Sequence, residues 1–403
     1  MIWLLFGFYL ILRLYPYFLS PVPLGYDPGL YLYLWRHDLS IDWLKQVYPP
    51  LIFWLGKLLS IFTDPANFLI PLSFVVASIL FYSIYLYTKS KATLFLLAIS
   101  AVQYRFWWYY YIKNILAIAF IFFYLHFFQK KSKWAYLFVT LIVLLHQPTA
   151  IILFFFLLLQ KNFKAIILFL LTFAAYYLPN YDQTLKQFIV GVASNFGTAS
   201  GTFYDLPQAL LLILPYLPFA LISIKNKKNN LMTAGFILTL IIPLFGLFLS
   251  RRFIPFFDIF TIILAGYSLP KFKPYYFLLI IFSLFFVYKN SASLISYDEF
   301  YEIQQLQTVP EDAYLLVTDN EYTPWAYGYS GLKPITPGFG EYDTFWSYDQ
   351  WVQFWDNHNQ IELLKLLPQP LYIYSGDKSK RFFVGEGDCF TRFSWHVWKF
   401  NCY

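Results

Sequence analysis

The chain has 403 residues, of which 59% are hydrophobic and only 13% are charged. A soluble domain carries about 25% charged residues, so this composition excludes a protein that is water-soluble along its whole length. The formal net charge is +7 at pH 7. Most of that excess stands in short lysine-rich loops between apolar segments, which indicates membrane topology. We therefore expect no nucleic-acid partner, because no soluble part of the chain carries a basic face.

The first apolar segment, residues 3–19, predicts a membrane span. No basic region precedes it and no small-residue cleavage site follows it, so we expect a retained span and not a signal peptide. Ten more apolar segments follow, several of them shorter than the roughly 20 residues of an ideal span. Together they predict a polytopic α-helical membrane protein with about eleven spans. These segments are 69–88, 92–106, 110–128, 134–147, 148–160, 164–179, 207–224, 231–249, 253–269 and 274–288.

The lysine-rich loops predict an orientation in the cell membrane. They alternate with lysine-poor connections, and short basic loops normally face the cytoplasm. This places the N-terminus in the cytoplasm and residues 289–403 outside the cell membrane. Residues 20–68 then form an outer loop. The apolar stretch 49–63 within it contains Lys57 and is predicted to lie along the outer interface.

Residues 289–403 differ in character from the apolar bundle predicted for residues 1–288. Strand-like runs at 309–319 and 371–375 and an amphipathic helix at 349–367 predict a small soluble α/β domain, large enough to hold its own core. The two cysteines, Cys389 and Cys402, both lie in this domain. Outside a reducing cytosol they would form a disulfide, and otherwise they are two free thiols. Two cysteines alone do not make a zinc site.

The sharpest local motif is Gly25-Tyr26-Asp27-Pro28-Gly29, which follows the first span. Asp-Pro-Gly is a good turn sequence, because the aspartate bonds to its own backbone and proline presets the next residue. The functional alternative is a general base. A carboxylate at the mouth of a helical bundle becomes more basic where the surroundings have a low dielectric constant.

Several other charged residues are candidates for a site. His37 and Asp38 follow on a predicted interfacial helix, where most charged residues form a solvated face, although the histidine could be a ligand or a proton shuttle. Arg13 and Asp258 lie inside predicted spans, where charge is costly and more often functional than not.

Cations at the ends of apolar segments have two interpretations. Arg251 and Arg252 form an outer pair, and arginine matches phosphate oxygens in a bidentate manner. Alternatively, such side chains reach from a helix end to the lipid headgroups. Arg105 and Lys113 flank another predicted outer loop and have the same two interpretations.

These motifs together resemble the GT-C superfamily of membrane glycosyltransferases, which includes protein mannosyltransferases and aminoarabinose transferases. The resemblance rests on the layout of the chain and on four motifs. Asn114 stands where many members have an acidic residue. The four motifs are Gly25-Tyr26-Asp27-Pro28-Gly29, Tyr48-Pro49-Pro50-Leu51, Tyr111-Ile112-Lys113-Asn114-Ile115-Leu116-Ala117 and Arg252-Phe253-Ile254-Pro255.

The resemblance implies a polyprenyl-phosphate sugar as donor and a glycan, lipid or protein hydroxyl as acceptor. Asp27 would take the acceptor proton, the reaction would invert the anomeric carbon, and Arg251 or Arg252 would stabilise the leaving lipid phosphate. Lys113, Asn114, Arg105, His37 and Asp38 are the further residues expected to contact substrate. No cofactor is fixed by the motifs. A divalent cation is an option that Asn114 weakens, and no metal ligand is assigned.

Two other classes of function stay open. A transporter or flippase would have broken helices and buried charge near the bilayer midplane. A membrane-anchored binding protein would carry its function in residues 289–403 and would need far fewer spans.

Overall fold

The computed structural model describes residues 2–36, 50–180, 204–247, 250–272, 274–337, 345–357, 359–379, 383 and 385–402. The chain divides into two compact units, each described by itself. The first contains Met1–Tyr15, Leu39–Thr63 and Ile70–Ser291. The second contains Pro16–Asp38, Asp64–Leu69 and Ala292–Tyr403. The second unit therefore takes in two short stretches of the N-terminal region besides the C-terminal residues.

Most of the described chain is α-helical, as the apolar composition predicts. The helices, numbered in chain order, are α1 (Ile2–Leu19), α2 (Asp27–Arg36), α3 (Leu51–Ser60), α4 (Pro65–Thr88), α5 (Lys91–Ile99), α6 (Ala101–Trp108), α7 (Ile112–Gln129), α8 (Trp134–Leu145), α9 (Gln147–Leu159), α10 (Phe163–Tyr177), α11 (Leu206–Ile213), α12 (Leu217–Lys225), α13 (Asn230–Leu244), α14 (Ile254–Ser268), α15 (Tyr275–Asn290), α16 (Tyr297–Gln305), α17 (Thr323–Tyr329), α18 (Tyr348–Trp355) and α19 (Gln360–Lys365).

The number of helices able to cross a membrane is smaller than predicted. Among the described residues, three helices are long and apolar enough: α1, α4 and α7. The bent pair α11 and α12 brings the number to four if it forms one broken span. A helical protein compatible with membrane insertion is thus confirmed, whereas the prediction of about eleven spans was wrong. The predicted orientation stays a prediction.

Breaks within the apolar segments explain the difference. Ser100 is extended (ψ 120°) and separates α5 from α6 within one predicted span, and its hydroxyl accepts a hydrogen bond from the Gln103 N–H. Other predicted spans are single short helices, such as α8 and α9, which meet at the extended His146, close to the predicted boundary before Pro148. A helix of 12 residues is roughly 18 Å long, well short of an apolar layer of about 30 Å. The segment around 207–224 bends by 83° between α11 and α12.

The second unit contains the predicted α/β fold. Its five strands are β1 (Tyr314–Val317), β2 (Lys333–Ile335), β3 (Leu371–Tyr374), β4 (Phe390–Arg392) and β5 (Val397–Phe400), in the spatial order β2-β1-β3-β5-β4. The first three are mutually parallel, β5 is antiparallel to β3, and β4 is antiparallel to β5. The two predicted strands correspond to β1 and β3.

Aromatic side chains fill the core beneath this sheet, among them Trp346, Trp351 and Phe354, each 1% exposed. The predicted amphipathic helix at 349–367 is two helices, α18 and α19, because Asn357 and Asn359 between them take positive φ angles of 60° and 53°. A disulfide joins Cys389 to Cys402, which decides between the two alternatives for the cysteines. It links the two ends of the β4–β5 hairpin.

Close backbone packing fixes the helix that begins with Asp27. Helix α2 lies against α17, and glycines meet at the contact. A Cβ atom on Gly29 would stand 1.8 Å from the Pro324 carbonyl oxygen, and one on Gly328 would stand 2.4 Å from the Gly29 carbonyl oxygen. Only glycine permits this approach, so the Gly29 in the Asp-Pro-Gly motif is required by packing within the second unit.

Gly29→Ala is therefore expected to destabilise the second unit by about 1–3 kcal/mol, the usual cost of overpacking a tight contact. Gly7→Ala is the matched control, because a Cβ at that helical position meets no atom within 4 Å and alanine favours a helix. Thermal unfolding of the detergent-purified chain, with proteolysis sites mapped to each unit, measures the effect. Equal stability of the two variants would contradict the packing argument.

Candidate functional site

Asp27 is the first residue of α2 and is half-buried. The Asp-Pro-Gly motif thus opens a helix, and Pro28 occupies the first turn, where its missing N–H costs nothing. The Tyr31 hydroxyl, one turn further on, donates a hydrogen bond to Asp27 Oδ2 at 3.4 Å. At the other end of α2, Arg36 bonds to the Asp64 carboxylate at 2.9 Å and to the Gly328 carbonyl oxygen at 3.1 Å. Asp27 is therefore carried on a helix whose other end is anchored by Arg36 within the second unit.

A group of polar residues in the first unit, here called the cation cluster, consists of Lys113, Asn114, His146 and Arg252. Lys113 and Asn114 lie in the first turn of α7, His146 lies between α8 and α9, and Arg252 lies in a 3-10 turn (Ser250–Phe253) just before α14. Lys113 and Arg252 both interact electrostatically with the His146 ring. The structure thus brings two predicted cations, distant in the sequence, within electrostatic range of one buried histidine.

The cation cluster stands at the beginnings of three helices. Helices α7, α9 and α14 each begin within two residues of a cluster member, and in the described chain none of the three has a side-chain cap. The first backbone N–H groups of a helix have no intrahelical acceptor, and the helix dipole makes this end positive. Helix beginnings and cationic side chains therefore act in the same sense and favour an anion.

Two buried polar atoms of the cation cluster have no hydrogen-bond partner in the part of the chain that the structure describes. They are Asn114 Oδ1 and His146 Nε2, on side chains that are 6% and 2% exposed. His146 Nδ1 is 2.7 Å from the Thr149 hydroxyl, whereas Nε2, the other ring nitrogen, has no hydrogen-bond partner among the described residues. A buried polar atom without a partner costs about 1–3 kcal/mol. His146 Nε2, on a ring that interacts electrostatically with two cations, indicates a place where a polar ligand binds.

The remaining predicted contacts have different surroundings. Arg251 is partly exposed in the same 3-10 turn as Arg252. Arg105 donates to the Asn290 carbonyl oxygen at 3.1 Å, at the end of α15, and its guanidinium stacks over Trp108 at 3.6 Å. Arg105 therefore holds two helices together by its described contacts. His37 and Asp38 lie outside the described residues.

A second buried polar group surrounds Asp258, which is fully buried on α14. Its carboxylate accepts hydrogen bonds from the Ser100 hydroxyl at 2.7 Å, from Gln103 Nε2 at 2.9 Å and from the Tyr216 hydroxyl. Ser100 and Tyr216 both stand at breaks between helices. Through these bonds Asp258 connects α14 to the break between α5 and α6 and to the break between α11 and α12. The lone aspartate was visible in the sequence, whereas its partners, far away along the chain, were not.

Arg13, the other charge within a predicted span, is 1% exposed. It donates to the Tyr9 carbonyl oxygen at 3.1 Å and its guanidinium lies 3.6 Å from the centre of the Tyr9 ring. In the described chain it has no carboxylate partner. An aromatic face compensates part of the cost of burying this cation.

Sequence reasoning missed a third group, in the second unit. One ligand atom from each of Glu299, Asp377 and His396 lies within 4.8 Å of the others, an arrangement able to hold a metal ion. The available signal was the position of Asp377 just after the predicted strand at 371–375, where α/β domains place binding residues. The other two residues come from distant parts of the sequence.

No known protein family and no curated protein matches this chain.

Proposed function

We propose that this chain is a membrane glycosyltransferase that moves a sugar from a polyprenyl-phosphate donor to an acceptor hydroxyl with inversion. The observation that carries the proposal is the cation cluster. It combines two cations, three helix beginnings and two unpartnered buried polar atoms in a unit made of apolar helices. Apolar helices suit a lipid tail, and the cluster suits its phosphate.

The cation cluster would act on the leaving group. Lys113 and Arg252 would donate to the phosphate oxygens, with arginine able to make two parallel bonds. If the Thr149 hydroxyl donates to His146 Nδ1, the opposite ring N–H of His146 is free to donate to a third oxygen. Asn114 Oδ1 would accept from a sugar hydroxyl. Donors fixed in place before reaction stabilise charge that develops on a leaving phosphate, often the largest contribution to such catalysis.

The bond changes are those that the resemblance to the GT-C superfamily implies. The acceptor oxygen forms a bond to the anomeric carbon, while the bond from that carbon to the phosphate oxygen breaks. The acceptor proton passes to Asp27, the role that the resemblance gives it, and the polyprenyl phosphate leaves as an anion. Attack from the side opposite the phosphate inverts the anomeric configuration. A divalent cation is not needed to balance this step.

A flippase or transporter is the second candidate, and the Asp258 group favours it. Discontinuous helices around a buried ionisable residue are typical of transporters. The structure has such breaks between α5 and α6 and between α11 and α12. Against this, the Asp258 carboxylate is satisfied by three donors of the protein, so it offers little to a passing substrate.

Reconstitution into vesicles separates the candidates. The purified chain would receive polyprenyl-phosphate sugars labelled in the sugar, together with glycan, lipid and protein fractions of a cell envelope as acceptors. We expect the label to move to an acceptor while unglycosylated polyprenyl phosphate appears in equal amount. Protein-free vesicles give the background rate. Label that crosses to the other leaflet while still attached to its lipid would favour the flippase and contradict the transferase.

A further inference from the structure

Three acidic side chains and an imidazole meet in the second unit near the end of β3. Asp377 follows β3 and His396 immediately precedes β5, which pairs with β3. Glu299 and Glu302 lie three residues apart on α16 and so share one face of that helix. The strand order reverses between β1 and β3, because β2 lies on the far side of β1. Sheets of this kind bind ligands outside the carboxyl ends of such strands.

Glu302 holds one side of the His396 ring. Its Oε2 lies 2.7 Å from Nδ1, and its carboxylate also accepts from the backbone N–H groups of Trp395 at 2.9 Å and His396 at 3.3 Å. The other ring nitrogen, Nε2, is 2.8 Å from Asp377 Oδ1. Without a bound ion this contact needs a proton on Nε2, and a metal ion between the two atoms would take the place of that proton. A carboxylate on one ring nitrogen is the usual means of orienting a histidine that binds metal through the other.

Glu299 is also held in place before any ligand binds. Its side chain is 1% exposed. One carboxylate oxygen accepts from the Tyr322 hydroxyl at 2.7 Å and from the Asp377 N–H at 3.0 Å, and the other accepts from the Ser296 hydroxyl at 2.8 Å. Oxygens and nitrogens bound to zinc stand roughly 3–4 Å apart, given bonds of about 2.0–2.2 Å. The ligand atoms of the group lie within 4.8 Å of one another, so the longest separation must shorten by at most about 1–2 Å.

The charge of the group favours a cation. Glu302 and Asp377 pair with His396, and in the described chain neither they nor Glu299 pairs with a lysine or arginine. Even a protonated imidazole leaves two negative charges unbalanced. Partly buried carboxylates in excess are costly, and a divalent cation would neutralise them.

Tyr374 supplies an independent indication of a ligand. Its side chain is fully buried, and among the described residues its hydroxyl has no hydrogen-bond partner. The same side chain interacts electrostatically with Glu299, Glu302 and Asp377. Its ring centre lies 6.2 Å from that of His396. An unpartnered buried hydroxyl beside a ring of carboxylates is explained by a bound group, such as water on a metal ion, that bonds to it.

We propose that Glu299, Asp377 and His396 bind a divalent cation of the Zn²⁺ class, with Glu302 as a positioning residue and the Tyr374 hydroxyl bonded to a metal-bound water. Imidazole selects Zn²⁺ and related ions over Mg²⁺ and Ca²⁺, which prefer oxygen ligands alone. The ion enters from the Asp377 side, because that side chain is 66% exposed. The bound ion would link α16, the end of β3 and the start of β5.

Metal titration of the full-length chain tests the site. The detergent-purified protein would be stripped with a chelator and titrated with ZnCl₂ by calorimetry, with CaCl₂ in a parallel titration. Cys389 and Cys402 are joined, so no thiol competes for the ion. We expect one Zn²⁺ per chain and much weaker binding of Ca²⁺. We expect Glu302→Gln to bind Zn²⁺ about 10-fold to 100-fold more weakly, the usual effect of losing a carboxylate that orients a metal-binding histidine.

Variants of the ligands complete the test. Asp377→Asn and His396→Gln are each expected to weaken Zn²⁺ binding by about 100-fold or more, since each removes a direct ligand. Asp388→Asn, on an exposed turn of the same unit, is the matched control and should bind as the wild type does. Because Asp377 is mostly exposed, its variant is expected to fold. Less than one equivalent of Zn²⁺ on the wild type, or unchanged binding by both ligand variants, would overturn the proposal.

Discussion

Asp27→Asn is expected to lower the rate of sugar transfer by about 10²–10⁴-fold, the usual contribution of a general base. Asparagine has the shape of aspartate and can still accept the hydrogen bond from Tyr31, but it cannot take a proton at neutral pH. The helix that carries residue 27 should be unaffected, because its close packing depends on Gly29 and Gly328. The loss should therefore appear in kcat with little change in stability.

A matched control makes this result specific. Asp312→Asn removes the same charge from an exposed turn of the second unit and should leave the rate unchanged. Asp27→Glu keeps a carboxylate but displaces it, so it should retain more activity than Asp27→Asn. Transfer by Asp27→Asn at the wild-type rate would remove Asp27 from the mechanism.

Arg252→Gln is expected to lower kcat/KM by about 10²–10³-fold, the size of effect seen when one preorganised donor to a developing charge is lost. Arg252→Lys keeps the charge without the two parallel N–H groups and should lose less. Lys113→Gln should act in the same direction, because its ammonium group and Arg252 surround the same histidine. Measured together, the two neutral variants should be non-additive, as expected for residues that bind one phosphate.

A variant that loses a positive charge elsewhere in the first unit is the control for Arg252→Gln. Lys228→Gln removes a cation from an exposed loop and should transfer sugar at the wild-type rate. Equal activity of Arg252→Gln and Lys228→Gln would show that the cation cluster does not serve the reaction.

The sequence indicated the type of fold better than its details. Long apolar segments identify helices, but apolarity alone does not reveal a break such as that at Ser100, whose hydroxyl caps the next helix. Because residues on both sides of the break are apolar, two short helices read as one span. The strands β1 and β3 were predictable from their apolar runs. The pairing of β5 with β3 depends on contacts between distant segments.

The candidate sites show the same limit. Lys113 and Arg252 were selected by residue type and by their positions at segment ends. Their interaction with His146 was not predicted, because the three residues lie in segments far apart in the sequence. Glu299 and His396 were missed for a similar reason. Each is unremarkable in its own segment, and only the fold places them together.

An experimental structure of the full chain with bound polyprenyl phosphate tests the central claim most directly. We expect the phosphate to lie within hydrogen-bonding distance of both Lys113 and Arg252, with a phosphate oxygen facing His146 Nε2. Arg13, a buried cation elsewhere in the first unit, should not contact it. A phosphate bound at Arg13 or beside Asp258, with no phosphate at the cation cluster, would contradict the proposed phosphate site.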